Sequence, residues 1–471
     1  MSSVTVTGPI AVSGAVGDIL GLAAQINALL HADLNASPAT AVARVNNFSG
    51  IPVASPLVNQ PTVTELVLRG EGGSATIPAG YSYVVDLATG ANTVTGSNLA
   101  LNTGTTGGAF YLTGQSTVAA SGGDNLIAAS GQYLISTAPG NDTISAAGAG
   151  TVATDLGQNL IGVSGINVVM SVGQDTIMVG AGLTTVDSAG AQSFVAGSSA
   201  GPSYLAVSVS GTQTTVSAAT SDTTVTLTGS SDLVFGGQTG GGTLSVLDMG
   251  SNDSIAGMSS PTTVTAGTDS NGLNVFGGTG NLTFVGGDSA ATVVSGTGLN
   301  SIVGGTGGFL LGAFGNNTVT GQAPGGATIF GTDGSNVNYS GAGDLLYAAV
   351  SGNATLNAAG STGTDALFAV GPSNASIAGG AGTNLYDAGA GADTFTGGTG
   401  SNTYFFLAAN TAGSHDFVTN LAASDAVGLI GYNPAASTVT VTDGSATLTL
   451  SDNTEITFVN VTNITNNIHY G

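Results

Sequence analysis

Glycine returns every eight or nine residues through most of this chain, and it keeps the same company. A polar residue follows two places later (+2), and a large apolar residue two places after that (+4). From Gly123 the pattern runs GDNLI, GQYLI, GNDTI, GAGTV, GQNLI, GINVV, GQDTI and GLTTV. The last of these starts at Gly182, and the steps between glycines are 8, 9, 8, 9, 8, 8 and 9. A second run extends from Gly272 to Gly400, with Ser289 and Ser373 standing in for glycine. Between them the phase loosens and threonine becomes common, while Gly73, Gly80 and Gly90 open the series. A period this short is too small for a helical repeat and matches one turn plus one short strand. Glycine supplies the bend, the +2 Asn or Asp bonds backbone groups through the turn, and the +4 residue points inward.

Two such arcs close a coil of about 17–18 residues, and coils stack at ~4.8 Å in parallel register. The expected fold is all-β: a parallel β-solenoid or β-roll over 73–405, some 18–19 coils and on the order of 90 Å long. Open coil ends need caps. Residues 16–34, VGDILGLAAQINALLHADL, carry Ile19, Leu22, Ile26 and Leu29 at helical spacing behind the potential N-cap Asp18. They predict a capping helix, or alternatively a docking helix, inside an N-terminal segment 1–72. Residues 35–72, with four prolines, read as a linker. The segment 406–471 reads as a C-terminal β module, with Asp443-Gly444 as a hairpin turn between alternating Thr/Val/Leu runs.

The stretch 379–405, GGAGTNLYDAGAGADTFTGGTGSNTYF, resembles the nonapeptides G-G-x-G-x-D-x-U-x of the RTX, or hemolysin-type calcium-binding, family. GNDTI at Gly140, GQDTI at Gly173, GTDAL at Gly363 and GADTF at Gly391 match its core. The tail from His415, HDFVTNLAASD, is similar to the module that follows such repeats. The resemblance implies a β-roll with calcium held between turns by Asp side chains and carbonyls. It also implies uncleaved C-terminal export through a type I secretion apparatus. The metal positions it points to are Asp387 and Asp393 first, then Asp142, Asp175 and Asp365. Most +2 positions here carry Asn instead, among them Asn92, Asn125, Asn159, Asn300, Asn384 and Asn402. Asn offers one neutral oxygen where Asp offers two charged ones, so few calcium ions are expected, and stacked amides are expected to hold most coils.

Charge narrows the partners. With 26 acids against Arg44 and Arg69 the net charge is −24, which excludes phosphate-neutralising partners such as nucleic acid. The longest apolar runs are too short to span a bilayer, and MSSVTVTGPIAVSG lacks the basic start of a secretory signal, so another export route is expected. Cysteine is absent, which removes disulfides and thiolate sites. No catalytic residue is singled out. His31, His415 and His469 lie apart, and there is no H-E-x-x-H and no G-x-S-x-G in a strand–helix context. The chain therefore reads as a non-enzymatic, extracellular or cell-surface structural protein: a scaffold, an adhesin, or a surface-layer, filament or biofilm-matrix subunit that associates with itself. Two alternatives stand beside this reading: a secreted carbohydrate-active enzyme using an Asp pair, and a passive module that folds on meeting calcium.

Overall fold

A computed structural model describes residues 44–47, 65–199, 203–238, 241–322 and 324–471. The expected helix at 16–34 with Asp18 and His31, the strand-like VTVTG at 4–8 and most of the linker lie outside the described residues. The chain divides into two units, one ending at Thr214 and the other beginning at Thr215. Each unit is a parallel β-solenoid, as the repeat demands. Parallel pairing starts ahead of residue 73: Arg44–Asn47 pairs with Glu65–Arg69, which pairs with Tyr83–Asp86.

In the N-terminal unit the strand registers sort the +4 residues into two columns. Phe110, Ile127, Ile144, Ile161, Ile177 and Val195 form one. Val118, Ile135, Val152, Val169, Val186 and Val207 form the other. All twelve are buried, and all eight repeats from Gly123 to Gly182 contribute their +4 residue to these columns. The alternation of arcs in sequence is thus an alternation between two walls of one core. Several strands here run 12 or 13 residues and turn the corner without breaking, because a glycine sits at the bend. Gly131, Gly148, Gly165 and Gly182 have φ of 102°, 129°, 103° and 130°.

The C-terminal unit has shorter strands but the same logic. Val216, Val234, Ile255, Val275, Val293, Leu311, Ile329, Tyr347, Leu367, Tyr386, Tyr404 and Val427 form a single buried column. Its later coils take aromatics, Tyr347, Tyr386 and Tyr404. Tyr386 and Tyr404 stack at 4.6 Å between centroids, with Phe395 edge-on to Tyr386 at 5.5 Å. The tail continues the stack: His415–Thr419 and Ala426–Ile430 pair in parallel with the strands before them. The predicted hairpin is present. Asp443 and Gly444 both have positive φ, 49° and 79°, between the antiparallel strands Thr438–Thr442 and Ser445–Thr449. Ser445–Thr449 then pairs antiparallel with Glu455–Phe458, burying Ala446, Leu448, Ile456 and Phe458 over the last coil. Changing strand direction ends the stack on this wall by covering its last edge, while the other wall ends on Ile468–Tyr470, paired in parallel with Ala426–Ile430.

Candidate functional site

The +2 side chains point into the coil corners, where a buried polar atom must find partners. Most find them in one another and in the turns, while Oδ1 of Asn125, Nδ2 of Asn167 and Oδ2 of Asp365 have none. In the N-terminal unit both the backbone amide and Nδ2 of Asn125 donate to Oδ1 of Asp142, at 2.9 and 2.8 Å. The Asp142 amide donates to Oδ1 of Asn159 at 2.8 Å, and the amide and Nδ2 of Asn159 donate to Oδ1 of Asp175. The C-terminal unit repeats the device. Nδ2 of Asn300 donates to Asn317, Nδ2 of Asn384 to Asn402 at 2.9 Å, and Nδ2 of Asn402 to Asp425. Asn Nδ2 groups also satisfy the carbonyls of their own turns, as Asn300 does with Gly296 and Asn384 with Gly380. Asp has no donor for these carbonyls, which explains the preference for Asn at +2.

The five carboxylates expected to hold calcium sit in this framework without converging. Asp393 is fully buried, with Oδ1 accepting from the Ala375 amide at 2.8 Å and Oδ2 from the Gly389 amide at 3.1 Å. Asp387 lies elsewhere, on the outward side of its strand in register between Phe368 and Phe405. Asp142 faces the Asn125 N–H groups; Asp175 accepts from Asn159, Thr154 and Ser171. Asp365 accepts from Ser361 at 2.8 Å. No two of the five are register neighbours, and among the described residues no three His, Cys, Asp or Glu are grouped as a metal shell. A calcium ion takes six to eight oxygens. Here N–H groups face Asp142, Asp175 and Asp393, whereas Oδ2 of Asp365 and Oδ1 of Asp387 are buried without a hydrogen-bond partner.

Burial governs the acids. It raises the pKa of Asp142, Asp387 and Asp393, and pushes Asp365 up to about 6 and Asp416 up to about 7. Asp253 is pushed up to about 8, first by burial and then by the Asp248 carboxylate beside it, so it carries a proton at neutral pH. Asp248 in turn accepts from Ser270 and from the Gly250 amide.

A second ladder, for which the repeat gives no separate signature, runs along the outer corners at +1. Backbone amides of one coil donate to side-chain oxygens of the preceding coil: Asn141 to Asp124, Gln158 to Asn141, Thr364 to Asp344 and Ala392 to Asn374. Gln158, Gln174, Gln192 and Gln213 link side chain to side chain along the surface. The inner ladder bonds each coil to the next, and the outer one bonds each coil to the one before. Its only sequence signal is Asn, Asp or Gln one place after the repeat glycine, or two places for Gln192 and Gln213, which also reads as ordinary turn chemistry.

The chain matches no family model, no curated protein and no solved structure.

What the corners do chemically therefore has to be read from the residues themselves, and what they do is hold coils together. His415 stacks on Phe417 at the surface, 3.9 Å from Glu455. No helix of the described residues is long and apolar enough to cross a membrane.

Proposed function

We propose that this protein is a structural, non-catalytic subunit that works outside the cell, in a surface layer, filament or matrix built by self-association. The observation that carries this reading is where the charge lies. Many of the acids lie in buried corners and on rims, whereas outward strand positions are mostly Thr, Ser, Ala and apolar side chains, with Asp187, Asp222 and Asp387 as exceptions. Flat uncharged sheet faces pack against one another at ~10 Å, and a chain of net charge −24 can meet its own copies only where its charge is withdrawn. The RTX-like nonapeptides and tail support export through a type I apparatus, with the C-terminal segment as the signal. Calcium in this reading is not needed to join one coil to the next, because the amide ladders do so.

The experiment is small-angle scattering and electron microscopy of the purified chain over a concentration series, with calcium and with chelator. Growth into dimers, filaments or sheets is expected in both conditions. Strictly monomeric chains at every concentration would remove the assembly reading.

A further inference from the structure

One outward face of the C-terminal unit differs from the rest in being apolar as well as uncharged. Four strands, ending at Ala313, Gly331, Ala349 and Ala369, stand side by side in parallel register. Their outward residues, read with the one that follows each strand, form four rows: Leu310-Gly312-Phe314, Thr328-Phe330-Thr332, Leu346-Ala348-Val350 and Ala366-Phe368-Val370. Leu310, Phe314, Phe330, Leu346, Val350 and Val370 are each between 39% and 45% exposed.

Size alternates across this face in both directions. The central position is small, large, small, large (Gly312, Phe330, Ala348, Phe368) down the stack. Where the centre is small the flanks are large, as with Leu310 and Phe314 around Gly312; where it is Phe330 the flanks are threonines. The result is a checkerboard of knobs and holes, broken in the last row where Val370 flanks Phe368. The acids Asp333 and Asp344 are exposed at its two margins, and Asp387 closes it at the next coil. None of the twelve positions is charged.

We propose that a second copy of this chain docks here, face to face, about a two-fold axis between the second and third rows. The proposal rests on the assembly reading above and assigns it a surface. A two-fold interface must be self-complementary, and this one is. Rotation about an axis parallel to the strands brings Phe330 of each copy over Ala348 of the other, Phe368 over Gly312 and Leu310 over Ala366, while Phe314 meets Val370 at the margin. The acidic margins stay outside, in water, where repulsion between two acidic copies is screened. Four strands at ~4.8 Å and five residues at ~3.3 Å make a face of roughly 15 by 20 Å. That area belongs to the weak, concentration-dependent class of interface, with dissociation constants from about micromolar to about millimolar.

Sedimentation of the full chain from about 1 µM to about 1 mM tests this. The wild-type mass is expected to rise toward that of a dimer or beyond. Phe330→Asp, which places charge opposite the hole, is expected to raise the dissociation constant at least tenfold. Gly312→Leu fills the hole without charge. The backbone there admits a side chain, since a Cβ at Gly312 meets only Val294 methyls at 3.7 and 3.9 Å and the residue is not among those with positive φ. It is expected to weaken association likewise, and Gly312→Leu with Phe368→Ala to recover it. Circular dichroism checks that each variant keeps its β content. Single variants that associate as the wild type does would overturn this surface while leaving self-assembly standing. Failure of the double variant to recover would overturn the two-fold pairing. A wild-type chain monomeric throughout would overturn both readings.

Discussion

A single added methyl shows how tightly the coils are drawn together. At Gly148, φ is +129° and a Cβ would stand 2.1 Å from the carbonyl oxygen of Gly131 in the preceding coil. Neither the backbone angle nor the neighbouring carbonyl can give way cheaply, so Gly148→Ala is expected to cost at least about 2 kcal/mol. Gly312→Ala is expected to be near neutral. Denaturant midpoints for the two variants check this contrast. The buried acids make a second prediction at the same scale. Asp365, Asp416 and Asp253 titrate at about 6, 7 and 8 in the folded chain, above the ~3.9 of an unfolded Asp. The fold therefore binds their protons more tightly than the unfolded chain does. Their stabilising contribution is complete below about pH 4 and is lost as pH rises through each folded value. Melting temperature at constant ionic strength should fall from about pH 4 to about pH 8, and Asp416→Asn should remove the part of the fall that ends near 7. A flat or rising profile would contradict the buried, protonated corners described here.

Among the elements, the strand Thr438–Thr442 stands apart. All five of its residues are exposed, Val439 and Val441 included, and among the described strands it pairs only with Ser445–Thr449. Its other edge offers unpaired N–H and C=O groups to any chain that can add a strand. Val441→Lys should lower irreversible aggregation on heating or concentration while leaving the melting temperature unchanged, as turbidity and calorimetry on the same samples would show. The hairpin was legible because Asp-Gly supplies both positive-φ residues that its two-residue turn needs. The +4 columns were legible too, since a residue every eight or nine places that is always large and apolar has to share one interior. The separation of Asp387 from Asp393 was not. Asp387 and Asp393 are close in sequence, but Asp387 occupies an outward strand position and Asp393 a corner position, and strand alternation separates them.

Across the whole molecule the acids repel one another. With 26 of them and two arginines, folding holds like charges near one another and salt relieves the cost. Melting temperature should therefore climb with sodium chloride. Because the +2 carboxylates face N–H groups, calcium chloride should do no more than magnesium chloride at equal ionic strength. A rise specific to calcium in parallel melts would restore the metal role that the nonapeptides imply.

What the amino-acid order determined by itself was the repeating unit: a bend at glycine, a polar corner and an inward apolar residue. Each depends only on neighbours a few places away, and so each leaves a period in the sequence. Which side chains become neighbours from coil to coil was decided only by the tertiary structure. Coil length drifts, from 17 residues between Asn125 and Asp142 to 18 between Asn384 and Asn402 and 23 between Asn402 and Asp425. A fixed spacing therefore loses the register within a few coils. Gly312, Phe330, Ala348 and Phe368 look unrelated in the chain; hydrogen bonding between parallel strands sets them in one line and makes a patterned surface of them.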